Sequence, residues 1–380
     1  MPAWVVQTVE KLMRDFLWEG MDDGKIRHLV NWEVVGSSKT NGGLGVTPLK
    51  ARNAALCAKW LWRFPNEPNS LWHRDISRGY TLFLQGCVFV VGGGDSVRYW
   101  EDDWCRGGVL KEVFPTLFSL SRKKQSSISS FVRNGLYPHN WNLDLRKNLI
   151  VGEIDEVIRL LDILDGVRLV PSRLDKRRWK LDHSGLFSCH SFCSFTPKDE
   201  SKEDFSPYSQ IWKSKTPRKV KILLWQVARG RVNTCDLLQR HRPFMRLSPH
   251  WCALCKFDGE TVDHLFIHCP YALKVWWLLL GEVIAVWVTP KGCFKLLSCK
   301  IDALGREKKA KVLWGCLLQA MIWNLWMEHN RRIFDDYKGV EASELWDRVK
   351  FWPALWVSIT PVFRNVAVSS IMRDLLGAVI

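Results

Sequence analysis

Residues 252–269 read CALCKFDGETVDHLFIHC, and the spacing of their ligand-type side chains sets how the rest of the chain is read. Two residues separate Cys252 from Cys255, eight separate Cys255 from His264, and four separate His264 from Cys269. Two thiolates spaced in this way can face one ion across a tight turn, and a His and a Cys five positions apart can close the other half of a tetrahedron. Zinc takes four such nitrogen and sulfur ligands and, in a structural role, leaves no open position. The expected cofactor is therefore structural Zn2+. Cys252, Cys255 and His264 are three expected ligands, with Cys269 or His268 as the fourth.

Around this array lies a chain of 380 residues, long enough for two or three domains. Its hydrophobic fraction of 47% can bury a sizeable core. The net charge of +16 and the 22 tryptophans are unusual. Excess positive charge favours an anionic partner, with RNA or DNA ahead of an acidic membrane surface. Tryptophans suit base stacking and core packing equally. The 12 cysteines would suit a secreted disulfide scaffold, but the opening residues lack a basic segment followed by a long apolar one. Reduced, buried thiols in the nucleus or cytoplasm are expected instead. Val275–Val288 is short and carries Glu282, while Leu313–Met327 carries Gln319 and Asn324, so both read as buried helices and no membrane partner is expected. No small-molecule substrate is indicated.

Periodicity predicts a mostly helical α+β chain with small β-hairpins. Helices are expected over 4–18, 49–64, 70–77, 151–164, 271–280, 313–327 and 342–356. Another should start after Thr216 as N-cap, with Pro217 first and Gly230 beyond its end, and one more should run from Thr234 to Arg240. Leu29–Val35 reads as extended, and 196–206 as a loop. Val88–Val91 and Val97–Trp100 read as a hairpin around Gly92-Gly93-Gly94-Asp95. These glycines open a strand and not a helix, so they do not read as a phosphate loop. A second strand pair is expected at 178–181 and 186–189. The segment 213–231 carries Lys213, Lys215, Arg218, Lys219, Lys221, Arg229 and Arg231 without an acid, and Arg240, Arg242 and Arg246 lead on to Cys252. Such a cluster can track a phosphate backbone. Read as a solvated helix face, the same residues would instead lay Lys stems over apolar surface.

Several segments resemble one family in their order. The array with His264-Leu265-Phe266 and Cys269-Pro270 follows Ile211-Trp212-Lys213 and Pro217-Arg218-Lys219-Val220-Lys221. It is similar to the zinc-binding domain that follows reverse transcriptase in plant non-LTR (LINE-type) retrotransposons. Arg14-Asp15-Phe16-Leu17-Trp18, Gly42-Gly43-Leu44-Gly45 and Lys59-Trp60-Leu61-Trp62-Arg63 resemble the segment after the polymerase palm. Val97-Arg98-Tyr99-Trp100-Glu101-Asp102-Asp103-Trp104 and Trp323-Asn324-Leu325-Trp326, with Asn330, also fit.

The resemblance implies a post-palm helical segment at 1–80, a mixed connecting region at 81–205, the zinc-binding domain at 206–290 and a Trp-rich helical region at 291–380. It also implies Cys269 as fourth ligand. In a regular helix, however, His264 and His268 share a face and Cys269 lies well round from both. A polymerase needs paired aspartates on a palm hairpin and a third carboxylate upstream. Asp22-Asp23, Asp102-Asp103 and Asp335-Asp336 mimic the pair but read as solvated turns or caps. The catalytic core would precede residue 1, and no enzyme is expected. The expected function is non-catalytic RNA or DNA binding. The alternatives are a module that packs on a polymerase core through exposed Trp-rich helices, Leu313–Met327 above all, and a decayed element without selected function.

Overall fold

The computed structural model describes residues 1–18, 28–63, 80–132, 141–146, 149–195, 205–241, 251–283, 288–299, 303–335 and 337–379. The expectations for Asp22-Asp23, the 70–77 helix, most of the 196–206 loop, Asp336, Arg242 and Arg246 fall outside them. The fold is predominantly helical, with one two-stranded antiparallel sheet among the described residues. The chain divides into two compact units, residues 1–8 with 47–200, and residues 9–46 with 201–380.

In the first unit the strands are Cys87–Val90 and Lys176–Trp179, paired from Cys87↔Trp179 to Val90↔Lys176. The expected 88–100 hairpin does not form. Its glycine turn is wrapped around a distant carboxylate. Asp175 accepts the N–H groups of Gly92 (2.7 Å), Gly94 (2.9 Å) and Ser96 (3.0 Å), and the Ser96 hydroxyl (2.9 Å). Partial burial alone would raise the Asp175 pKa, but these donors outweigh it and hold the carboxyl below its usual range. The loop's anion-binding N–H groups are thus occupied by the protein's own acid. Val97, Tyr99 and Trp100 turn into the core, and Ile128 N–H donates to the Val97 carbonyl at 2.9 Å.

Trp179 anchors the paired strands. It is fully buried, its ring lies 5.8 Å from Phe83 and 4.9 Å from Phe187, and its Nε1 donates to Ser191 Oγ at 2.8 Å. Gly86 lies under this ring, where any Cβ would collide with it. The expected 186–189 strand is likewise replaced. Ser188 Oγ accepts the Ser191 N–H at 3.1 Å, and helix Cys189–Phe195 follows. Helix Val151–Leu164 has the predicted bounds, with Glu153 accepting the Ile150 N–H at 2.9 Å.

The second unit is built around helix Lys308–Phe334. Residues on all its sides between Leu313 and Leu325 are buried, as expected of a helix with almost no amphipathic bias. This corrects the view of Leu313–Met327 as an exposed face. Helices Arg218–Ala228 and Ala342–Ser358 pack on it, and Pro270–Glu282 packs on Ala342–Ser358. Leu29–Val35 is not extended, because the Asn31 side chain accepts the Glu33 N–H at 3.2 Å and starts helix Trp32–Gly36. Thr216 does not cap its helix. It is buried and bonded to Gln319 of the central helix, and the 218–228 helix begins after Pro217. Gly230, at φ 60°, ends that helix as its position implies.

Candidate metal centre

The 252–269 segment builds its site from two backbone devices. In the first, Cys252 N–H donates to the Asp258 carbonyl at 2.7 Å and Lys256 N–H to the Cys252 carbonyl at 2.8 Å. Lys256 turns the chain at φ 55°, a left-handed conformation uncommon outside glycine. Cys252 and Cys255 are thereby held on one side of a tight loop. In the second, residues 264–268 form a wide helical turn in which Cys269 N–H donates to the His264 carbonyl at 2.7 Å, an i→i+5 bond. In an ordinary α-helix, five residues would carry Cys269 about 140° round from His264. The wider turn and the extended backbone of Cys269 bring its thiol back to the His264 side. Pro270 then starts the next helix without needing a donor.

The four donor atoms of Cys252, Cys255, His264 and Cys269 all lie within 4.8 Å of one another. Cys252 Sγ is 3.9 Å from Cys269 Sγ, and Cys255 Sγ is 3.4 Å from His264 Nε2. Zinc–sulfur bonds of about 2.3 Å and zinc–nitrogen bonds of about 2.0 Å imply tetrahedral edges of about 3.8 Å (S···S) and about 3.5 Å (S···N). The observed separations fit that size and are far too long for a disulfide. Cys252 and Cys269 are fully buried and His264 is nearly so. His264 Nδ1 faces Asp258 at 3.8 Å, the side on which metal-binding histidines commonly find a carboxylate.

The crowded lone pairs perturb one another. The bond to Cys269, with burial second, raises the Cys252 thiol, while the same bond lowers Cys269. His264 is raised to about 9, chiefly by its contact with Cys252. A central cation would relieve this competition for protons. His268 is exposed, and its Nε2 lies 3.3 Å from the Lys291 carbonyl, outside the four-atom group.

A supporting carboxylate carries no local sequence signal. Glu260, inside the ligand loop, is fully buried and accepts from Cys235 N–H (2.7 Å), Ala253 N–H (2.9 Å) and His329 Nε2 (2.8 Å). Burial alone would raise its pKa. The hydrogen bond and charge of His329 and the two backbone donors outweigh that and set it at about 2. His329 stacks on Trp326 at 5.0 Å. The pair ties the loop to the central helix. Only the i+69 partner reveals it, which local spacing cannot show.

The expected basic residues divide into two groups. Lys213, Lys215, Arg218, Lys219 and Arg231 are exposed. Lys221 is half-buried and donates to the carbonyls of Trp212 (3.3 Å) and Ser214 (2.8 Å). Arg229 donates from Nε to the Gly42 carbonyl at 3.0 Å, which also accepts Trp225 Nε1 at 2.8 Å. These two cations hold the fold together.

The acidic mimics are also engaged. Asp102 is not a solvated cap. It is buried and accepts from Arg98 N–H (2.7 Å) and Arg98 Nη2 (2.9 Å). Asp103 pairs with Lys180 at 3.4 Å. All 12 cysteines are free of disulfides. Among the described residues, no helix is long and apolar enough to cross a membrane.

Residues 187–276 match a family model described as zinc-binding in reverse transcriptase. The chain is also similar to a putative ribonuclease H protein of Arabidopsis thaliana, at 27% identity over 389 aligned positions covering 92% of this chain. It spans 59% of that protein's length. No solved structure matches.

Proposed function

We propose that the chain contains a closed, structural zinc module, centred on 206–290 and derived from the reverse transcriptase of a plant LINE-type retrotransposon, that binds nucleic acid without catalysing a reaction. The observation that carries this reading is the convergence of Cys252, Cys255, His264 and Cys269 at tetrahedral spacing within the matched segment. All four donors come from the protein, so zinc held here would cross-link two turns of the loop and leave no position for a substrate. Fixing the loop also fixes helix Arg218–Ala228, which packs in the same core. The exposed cations Lys213, Lys215, Arg218, Lys219 and Arg231 then provide a phosphate-binding face.

Five phosphate contacts on a single strand give a log–log salt slope of about −3.5. Titration of zinc-loaded protein with single-stranded RNA across a range of salt should return that slope. Replacing Arg218 and Lys219 by Ala should flatten it by about 1.4. A flat dependence in the wild type refutes the phosphate-binding face.

A further inference from the structure

The second unit holds a groove of about 650 Å³ between helices Lys308–Phe334 and Ala342–Ser358, walled on a third side by the start of helix Arg218–Ala228. Trp323, Met327 and Arg331 line it from positions four apart on the first helix. Arg348, Trp352 and Trp356 line it in the same rhythm from the second. Trp352 packs on Trp356 with ring centroids 5.9 Å apart. Arg331 lies in the last turn of the first helix and Arg348 in the second turn of the next, and Lys219 adds a third cation from the third wall. Asp347, also at the rim, pairs with Lys350 at 3.5 Å.

Glu328 also lines the groove and is 1% exposed. Its Oε1 accepts from Arg332 Nε (2.9 Å) and Val340 N–H (3.0 Å). Its Oε2 is buried without a hydrogen bond among the described residues, and is ion-paired with Arg348 Nη1 at 3.8 Å. An unsatisfied buried acceptor costs about 1–3 kcal/mol, so such a group calls for a donor. The groove thus offers tryptophan surfaces, a buried wall acceptor covered by Arg348, and two further lining cations, Arg331 and Lys219. A ligand complementary to it is flat and aromatic, carries an N–H donor on its edge and is anionic outside.

We infer that this groove takes one unstacked nucleobase of a single-stranded nucleic acid, stacked on Trp352, with Arg348 turning from Glu328 Oε2 to a flanking phosphate, the base's amino edge donating to that oxygen in its place, and Arg331 and Lys219 meeting the remaining phosphates. This rests on the nucleic-acid reading above and adds a base-contacting site to it. A carboxylate acceptor favours adenine, cytosine or guanine, which carry amino groups, over thymine and uracil, whose carbonyls flank the only ring N–H.

The test compares zinc-loaded full-length protein on two oligodeoxynucleotides of equal length and charge, one of cytosines and one abasic, by fluorescence anisotropy. The cytosine strand should bind about tenfold more tightly, the scale of one base–aromatic stack. Trp352→Ala should abolish that difference while leaving abasic binding unchanged. A thymine strand should bind more weakly than the cytosine strand, and Glu328→Gln should narrow that gap. Because Glu328 also holds Arg332, the wild-type comparison and Trp352→Ala keep the test decisive should that variant fail to fold. Equal affinity for cytosine and abasic strands overturns the base site while the phosphate face stands, and leaves the groove to a peptide partner. No binding to either strand removes both readings.

Discussion

Replacing Glu260 by Gln keeps the side chain's volume and removes its charge. In the folded protein the Glu260 carboxyl titrates at about 2, against 4.5 for an unperturbed glutamate. Each pKa unit corresponds to about 1.36 kcal/mol, so the ionised form stabilises the fold by about 3 kcal/mol at neutral pH. The sign follows from a depressed carboxylate. The stability is fully present above the unfolded value near 4.5, falls as pH drops below it, and is gone once pH passes the folded value near 2. At pH 3, less than half of the neutral-pH contribution should remain.

The assay is urea unfolding at fixed saturating zinc, followed by tryptophan fluorescence, because Trp326 stacks on His329, the partner of Glu260. Wild type should exceed Glu260→Gln by about 3 kcal/mol at pH 7, and the gap should narrow steadily from pH 5 to pH 3. A difference below about 1 kcal/mol at pH 7, or one that stays constant down to pH 3, would refute the assignment of Glu260 as a charged tie between the ligand loop and the central helix.

In the first unit, Asp175→Ala strips four donors of their acceptor and should destabilise that unit by about 2–3 kcal/mol, read as a lowered urea midpoint; an unchanged midpoint contradicts the anchoring role. Gly86→Ala drives a methyl into the Trp179 ring and should cost about 1–3 kcal/mol by the same measurement, with a change in Trp near-UV dichroism. A neutral result would mean that the ring can shift without loss.

The helices were legible where apolar period and caps agreed. Val151–Leu164 has its predicted bounds, and the nearly all-round apolar run at 313–327 does form a buried helix. Strand pairing was not legible. Val88 finds its partner at Arg178, across more than eighty residues, because Asp175 captures the glycine turn that a local reading would fold into a hairpin. Thr216 carries a capping side chain, yet a buried amide on the central helix recruits it instead.

At the candidate metal centre, spacing gave the donor types but left Cys269 and His268 open, since a regular helix favours His268. The i→i+5 turn that swings Cys269 round depends on backbone geometry that the residue pattern does not encode. Charge density likewise marked the basic segment without separating its five exposed cations from Lys221 and Arg229, whose donors serve carbonyls of the fold.

The central claim is a single closed zinc site with Cys269 as its fourth ligand, and elemental analysis of the purified chain beside four variants tests it most directly. One zinc per chain is expected in the wild type and in His268→Ala. Cys252→Ala, His264→Ala and Cys269→Ala should each lose it. Zinc retained by Cys269→Ala and lost from His268→Ala would contradict the account, as would a wild-type chain that binds no zinc at all.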